Sequence, residues 1–271
     1  MKNAVWKRFK RYRYHDESLG LSLDLSRMNF GDDFFEKNAV AMDKAFEAMK
    51  ALEGGAIANP DEERMVGHYW LRAADLAPTS VLRQAIGDTI ESIRSFVSEV
   101  HETRLRGGEG EPFRHFLLVG IGGSALGPQL VADALGRRDD AMQPHFVDNT
   151  DPDGILRTLG ELEGELDSTL VIVISKSGGT QETHNGMRET QAAYERRGLK
   201  FSRHAVAITG EGSVLYKQAS DEGWLKIFPM WDWVGGRTSV TSAVGLLPAG
   251  LQGVDIDAFL AQTAEKDITI L

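Results

Sequence analysis

The feature that most constrains this chain begins after Pro112. Short apolar runs rich in β-branched residues alternate there with stretches of helical periodicity. The runs are Phe116–Val119, His145–Asp148, Leu170–Ile174, Ala205–Thr209 and Leu225–Phe228. Each gap between them is long enough for a crossover helix. Strand–helix alternation of this kind predicts a parallel sheet covered on both faces, here a doubly wound α/β unit of five strands. In such units ligands gather at the carboxyl ends of the strands, in the loops that lead into the helices.

Before Pro112 the texture is helical. Phe35, Ala39, Met42, Phe46 and Met49 step by alternating fours and threes and read as the core stripe of one helix, which Gly54-Gly55 stops. Asn59-Pro60-Asp61 reads as a turn or a helix start. Pro78-Thr79-Ser80 opens another helix whose apolar face is Leu82, Ile86, Ile90, Ile93, Val97 and Val100. The polar, glycine-rich stretch from Arg104 to Pro112 is the best linker candidate. The expected organisation is therefore a helical region over 1–105 and an α/β domain over 106–271. The extreme N-terminus mixes Lys2, Lys7, Arg8, Lys10, Arg11 and Arg13 with Trp6, Phe9, Tyr12 and Tyr14. It is read as a segment that packs its aromatics and solvates its charges, with a membrane- or RNA-binding arm as the alternative.

Composition narrows the function classes. With 271 residues and 42% hydrophobic content the chain can bury a sizeable core. The absence of cysteine removes disulfides, thiolate metal sites and a cysteine nucleophile. Forty acidic against 30 basic residues give a net charge of −10, which argues against a general nucleic-acid surface. No apolar run approaches the roughly 20 residues of a membrane span, so neither nucleic acid nor membrane is an expected partner.

Three of the loops after the strands are unusual. The first is Gly120-Ile121-Gly122-Gly123-Ser124-Ala125-Leu126-Gly127-Pro128. Glycines let backbone N–H groups turn toward an anion, and a helix N-terminus adds partial positive charge. The stretch also fits a loose GxGxxA dinucleotide fingerprint, with Asp148 as a ribose-binding acid, and a plain tight turn explains it as well. The second, Ser175-Lys176-Ser177-Gly178-Gly179-Thr180-Gln181-Glu182-Thr183, is a set of hydroxyl, amide and ammonium donors at a helix start. Helix capping by Ser177 or Thr180 accounts for only one of those hydroxyls. The third, Trp231 to Val240, places Gly235-Gly236 before Arg237, an arginine that could meet a developing oxyanion or pair with Asp232.

Taken together the loops resemble the glucose-6-phosphate isomerase (phosphoglucose isomerase) family. The resemblance rests on GIGGSALGP at 120–128, SKSGGTQET at 175–183 and WDWVGGRTSVTSAVGL at 231–246, with HYWLR at 68–72 in support. It implies a flavodoxin-like sugar-isomerase domain and the interconversion of glucose 6-phosphate and fructose 6-phosphate through a cis-enediol, with no metal or organic cofactor. By the same resemblance, Ser175, Lys176, Ser177 and Thr180 would anchor the phosphate, with Gly122, Gly123 and Ser124 beside it. Arg237 would face the enediolate, Gly236 would allow close backbone approach, and Glu182 would orient a ring-opening histidine. A homodimer in the cytoplasm is implied for the intact enzyme. The family's catalytic glutamate, histidine and late lysine lie well beyond the arginine loop, whereas 34 residues follow Arg237 here, with Glu265 and Lys266 but no histidine. The expectation is a first sugar-isomerase domain without the base. A sugar-phosphate sensor and a nucleotide-binding dehydrogenase domain are the alternatives.

Overall fold

The computed structural model describes residues 2–270, with side chains described over residues 3–264. The chain forms two compact units, residues 1–51 with 262–271, and residues 52–261.

In the first unit, helix α1 (Lys2–Tyr12) leads into an antiparallel hairpin of β1 (Arg13–Asp16) and β2 (Leu21–Asp24). Most of helix α2 (Phe34–Glu53) follows. The N-terminal aromatics divide. Tyr12 is buried against Phe30 and Phe35, while Trp6 stacks on Phe9 and stays 56% exposed. Arg8 turns inward instead of facing water, donating to the carbonyls of Ser26, Met28 and Phe30. The stripe read as core along α2 is a correction: the helix forms where expected, but none of its residues is buried, and Phe46 is 59% exposed. Periodicity identifies the apolar face of a helix but not whether anything covers it.

The second unit opens with a small hairpin, β3 (Ile57–Asn59) and β4 (Arg64–Met65). Asn59 makes its turn, its side-chain oxygen accepting from the amides of Asp61 and Glu62. Helix α3 (Ser80–His101) begins at a Thr79 cap that accepts from Leu82 N–H and buries Ile86, Ile93, Phe96 and Val100. The parallel sheet follows. Its strands are β5 (His115–Val119), β6 (Gln143–Val147), β7 (Thr169–Ser175), β8 (Ala205–Thr209) and β9 (Lys226–Pro229), in the order β6-β5-β7-β8-β9. All five expected strands are present, shifted at most by a few residues, in the doubly wound order with the crossover point between β5 and β7.

Alternation along the strands splits the core in two. Phe116, Leu118, Leu170, Ile172, Ile174, Val206 and Ile208 face one layer, with α3 and α8 (Ala243–Gln252). Leu117, Val119, Val171, Val173, Ala205 and Ala207 face the other, with α5 (Pro152–Glu161), α6 (Gln181–Arg196) and α7 (Val214–Asp221). Helix α4 (Leu126–Leu135) follows the first loop, and α9 (Ile256–Ile270) ends the described chain. Every residue of α8 is buried, as its uninterrupted apolar run AVGLLPAGL requires. Each large side chain so buried contributes roughly 1.5–3 kcal/mol.

The expected boundary near 105 does not coincide with the division by packing. Helix α3 is part of the sheet's own core, and the stretch read as a linker is tied down. Arg106 bridges Pro112, Gly108 N–H donates to His204 Nε2 (2.9 Å), and the amides of Glu109 and Glu111 donate to the Asp167 carboxylate. His204 is completely buried. Glycine content signalled a break in regular structure here, but long-range hydrogen bonds make it a latch. Among the described residues no helix is long and apolar enough to cross a membrane.

Candidate functional site

The three unusual loops leave the carboxyl ends of β5, β7 and β9, and the register of the parallel sheet brings them to one edge. The first and third touch directly. Ser239 Oγ contacts the carbonyls of Gly123 (3.1 Å) and Gly236 (2.8 Å), and a Cβ on Gly123 would stand 2.5 Å from the Gly236 carbonyl group. Glycine at 123 is thus a packing requirement. Gly122 and Gly123 form a short 3-10 turn with Ser124, half-buried, with no side-chain partner among the described residues.

The second loop keeps its donors. Thr180 is the N-cap residue of α6, yet its side chain makes no capping bond; its hydroxyl accepts from Ser175 Oγ (3.2 Å). Ser177 Oγ accepts from Gly179 N–H (3.2 Å) and leaves its own O–H free to donate outward. The capping explanation therefore fails, and the first-turn amides of a 16-residue helix face the loop with the helix dipole behind them. Gly178 adopts φ +69°, and a Cβ there would lie 2.5 Å from Leu215 N, so the loop can close over α7 only with glycine. Beneath it, Thr209 Oγ1 donates to the Ser175 carbonyl (2.6 Å) and meets Ser213 Oγ (2.7 Å). Neither Thr209 nor Ser213 stood out in the sequence, because Thr209 acts on a carbonyl 34 residues away and Ser213 joins it only through Thr209.

Lys176 is where structure and expectation part. Its Nζ donates to the carbonyls of Asp232 (2.9 Å) and Val234 (3.0 Å), with the Asp232 carboxylate 3.9 Å away. Burial pushes its pKa below the ordinary lysine value, partly offset by Asp232. The ammonium is thus engaged with the third loop.

Arg237 is exposed and makes no side-chain hydrogen bond or ion pair among the described residues. The pairing with Asp232 does not form; that carboxylate lies 3.9 Å from both Lys176 and Arg64. The loop carrying Arg237 rests on a small aromatic core, Trp231 stacked on Trp233 (4.9 Å) and Trp233 tilted against buried Trp70 (5.3 Å). Glu182 is exposed in the first turn of α6, with no histidine placed against it by a described contact. Asp148, the possible ribose ligand, instead accepts from Gln129 (2.8 Å) and Asn149 (3.0 Å), which removes the main support for a dinucleotide. Glu265 and Lys266 lie outside the described side chains.

A cavity of about 370 Å³ opens at the opposite, amino end of the sheet. It is lined by Glu109, Glu111, Glu165 and Asp167 against Arg114 and Arg197, so its charge balance disfavours an anion. The donor-rich loops are at the other edge.

The phosphoglucose isomerase family model matches residues 24–267. A glucose-6-phosphate isomerase of Geobacter sulfurreducens is 58% identical over 259 residues, covering 95% of this chain and 49% of the relative. One from Citrifermentans bemidjiense is 55% identical over 260 residues, with 96% and 49% coverage. The crystal structure of a glucose-6-phosphate isomerase from Chlamydia trachomatis superposes with a TM-score of 0.78 at 26% identity, over 94% of this chain and 48% of that one. The chain spans about half the length of the curated relatives it matches.

Proposed function

From the premise that this chain belongs to the phosphoglucose isomerase family, we propose that it supplies the phosphate-binding and arginine-bearing part of an aldose–ketose isomerase acting on glucose 6-phosphate and fructose 6-phosphate. The observation that carries this reading is the contact between Gly123 and the Gly236 loop. It gathers unspent donors, and a guanidinium with no partner among the described residues, at one edge of the sheet.

In this reading the phosphate dianion sits on Ser177, Thr180, Ser124 and the amides that open α6, with Ser175 positioning Thr180. The backbone N–H of Lys176 and those of Gly122 and Gly123 complete the cradle, and Gly236 lets the sugar pass close to the third loop. Proton transfer between C2 and C1 of the open-chain sugar builds negative charge on the two adjoining oxygens. Arg237, fixed by the aromatic core behind it, lowers the cost of that charge in the enediolate. Its permanent charge suits the role, since no proton moves on it. Glu182 serves to orient a histidine. The proton-transferring base is assigned to the half of the relatives' length that this chain does not span, and with it the homodimeric, cytoplasmic glycolytic enzyme that the family reading implies.

Calorimetric titration of the chain with glucose 6-phosphate, unphosphorylated glucose and a nicotinamide dinucleotide tests the reading. Binding of the sugar phosphate alone is expected. Stabilisation by the dinucleotide without the sugar phosphate would overturn it.

A further inference from the structure

Three consecutive carbonyls of the third loop are held from two sides. Those of Asp232 and Val234 accept from Lys176 Nζ at 2.9 and 3.0 Å, and that of Trp233, between them, accepts from Gly67 N–H at 3.0 Å. The segment is a turn, closed by Val234 N–H donating to the Trp231 carbonyl at 3.2 Å, and it leaves the Asp232 and Val234 carbonyls to one ammonium and the Trp233 carbonyl to a second donor. Residue 176 also holds the loop that follows β8, its carbonyl accepting from Gly210 N–H at 3.0 Å. Its side chain is only 25% exposed. The three carbonyls immediately precede Gly235, the N-cap of the turn that carries Arg237.

We propose that Lys176 is a positioning residue: its ammonium clasps the arginine-bearing loop to the phosphate-binding loop and so fixes the distance between the two ends of a bound sugar phosphate. The inference rests on the functional reading above and deepens it. A residue that contacts neither the phosphate nor the reacting carbons with its side chain sets the spacing between the groups that do. Two charge-assisted bonds to neutral carbonyls are stronger than ordinary ones, and they are made where burial disfavours the free ammonium. The arrangement spans loops 56 and 58 residues apart in sequence. Losing it frees the Arg237 loop without emptying the phosphate cradle.

The test uses Lys176→Met, which keeps the aliphatic stem and deletes the donors, with Arg237→Ala and the double variant. Two probes are titrated: inorganic phosphate, and a five-carbon aldonic acid phosphate whose carboxylate imitates the enediolate. Lys176→Met is expected to weaken the aldonic acid phosphate about tenfold, the size of lost charge-assisted bonds, and inorganic phosphate by no more than about threefold. On the Arg237→Ala background it should weaken the aldonic acid phosphate no more than it weakens inorganic phosphate. Equal losses for both probes would make the ammonium a phosphate ligand, and a full tenfold loss on that background would make it independent of Arg237; either result overturns the proposal. Hydrogen exchange of the unliganded chain separates this from the functional reading. Faster exchange confined to amides 232–238 supports the clasp even if neither probe binds, a result that would sink the isomerase reading alone. Unchanged exchange there overturns the clasp.

Discussion

Gly123 and Gly236, 113 positions apart, meet backbone to backbone: a Cβ on Gly123 would fall 2.5 Å from the Gly236 carbonyl carbon and oxygen and 2.6 Å from its Cα. The contact joins the loop after β5 to the loop after β9, which lie at different places in the sheet order. Ser239 closes it by reaching both carbonyls.

Gly123→Ala should therefore force the loops apart. Backbone atoms, unlike the end of a flexible side chain, cannot yield cheaply, so a loss of about 1–3 kcal/mol is expected in urea unfolding. Sugar-phosphate affinity should fall more than affinity for inorganic phosphate. A variant with unchanged midpoint and affinity would show that the two loops do not depend on each other.

Removing the hydroxyls of Ser177 and Thr180 together, as Ser177→Ala with Thr180→Val, should abolish measurable phosphate binding. Neither side chain caps α6, so the unfolding free energy should stay within about 1 kcal/mol. A large loss of stability with retained binding would return the loop to a purely architectural role.

Arg237→Ala should leave stability within about 0.5 kcal/mol, because the guanidinium is exposed and holds no partner among the described residues. The preference for an enediolate mimic over inorganic phosphate should disappear. In a full-length relative carrying the same change, turnover should fall more than substrate affinity, as measured by steady-state kinetics.

His204 gives the second unit a pH dependence. Burial pushes its pKa below the ordinary 6.5, with Asp167 opposing and Arg203 assisting. Above about pH 6.5 neither state holds the extra proton. As pH falls below that value the unfolded chain binds it first, so the stability contributed by the buried neutral ring is present at higher pH and lost on acidification. His204→Gln keeps a polar acceptor for Gly108 N–H and removes the titration. Its melting temperature should fall less steeply than that of the parent between pH 6.5 and 5. Parallel curves would refute the assignment.

Trp70 supports the arginine loop from beneath, fully buried against Trp233 with its indole N–H donating to the Glu53 carbonyl (2.9 Å). Trp70→Ala should cost about 3–5 kcal/mol through the cavity it leaves. It should also quench the sensitivity of tryptophan fluorescence to bound sugar phosphate, since Trp231 and Trp233 lose their base.

The sequence by itself determined the five strands, their parallel layering and the three loops that matter. Short continuous apolar runs between stretches of helical periodicity, and glycine-hydroxyl composition, are local signals that survive without neighbours. It also located the helix over Phe34–Glu53, but not the exposure of that helix's apolar face, because burial depends on what lies opposite. The tertiary structure alone decided what Lys176 and Asp148 do. As sequence, Lys176 is a cation in a phosphate-binding loop and Asp148 an acid after a strand. In space, the first is drawn to two carbonyls more than 50 residues away and the second to Gln129 and Asn149. Polar side chains take the partners that packing delivers to them, and those partners come from other loops. Arg237 shows the converse: the fold draws its nearest sequence carboxylate, Asp232, toward Lys176 and Arg64 and leaves the guanidinium without a partner among the described residues.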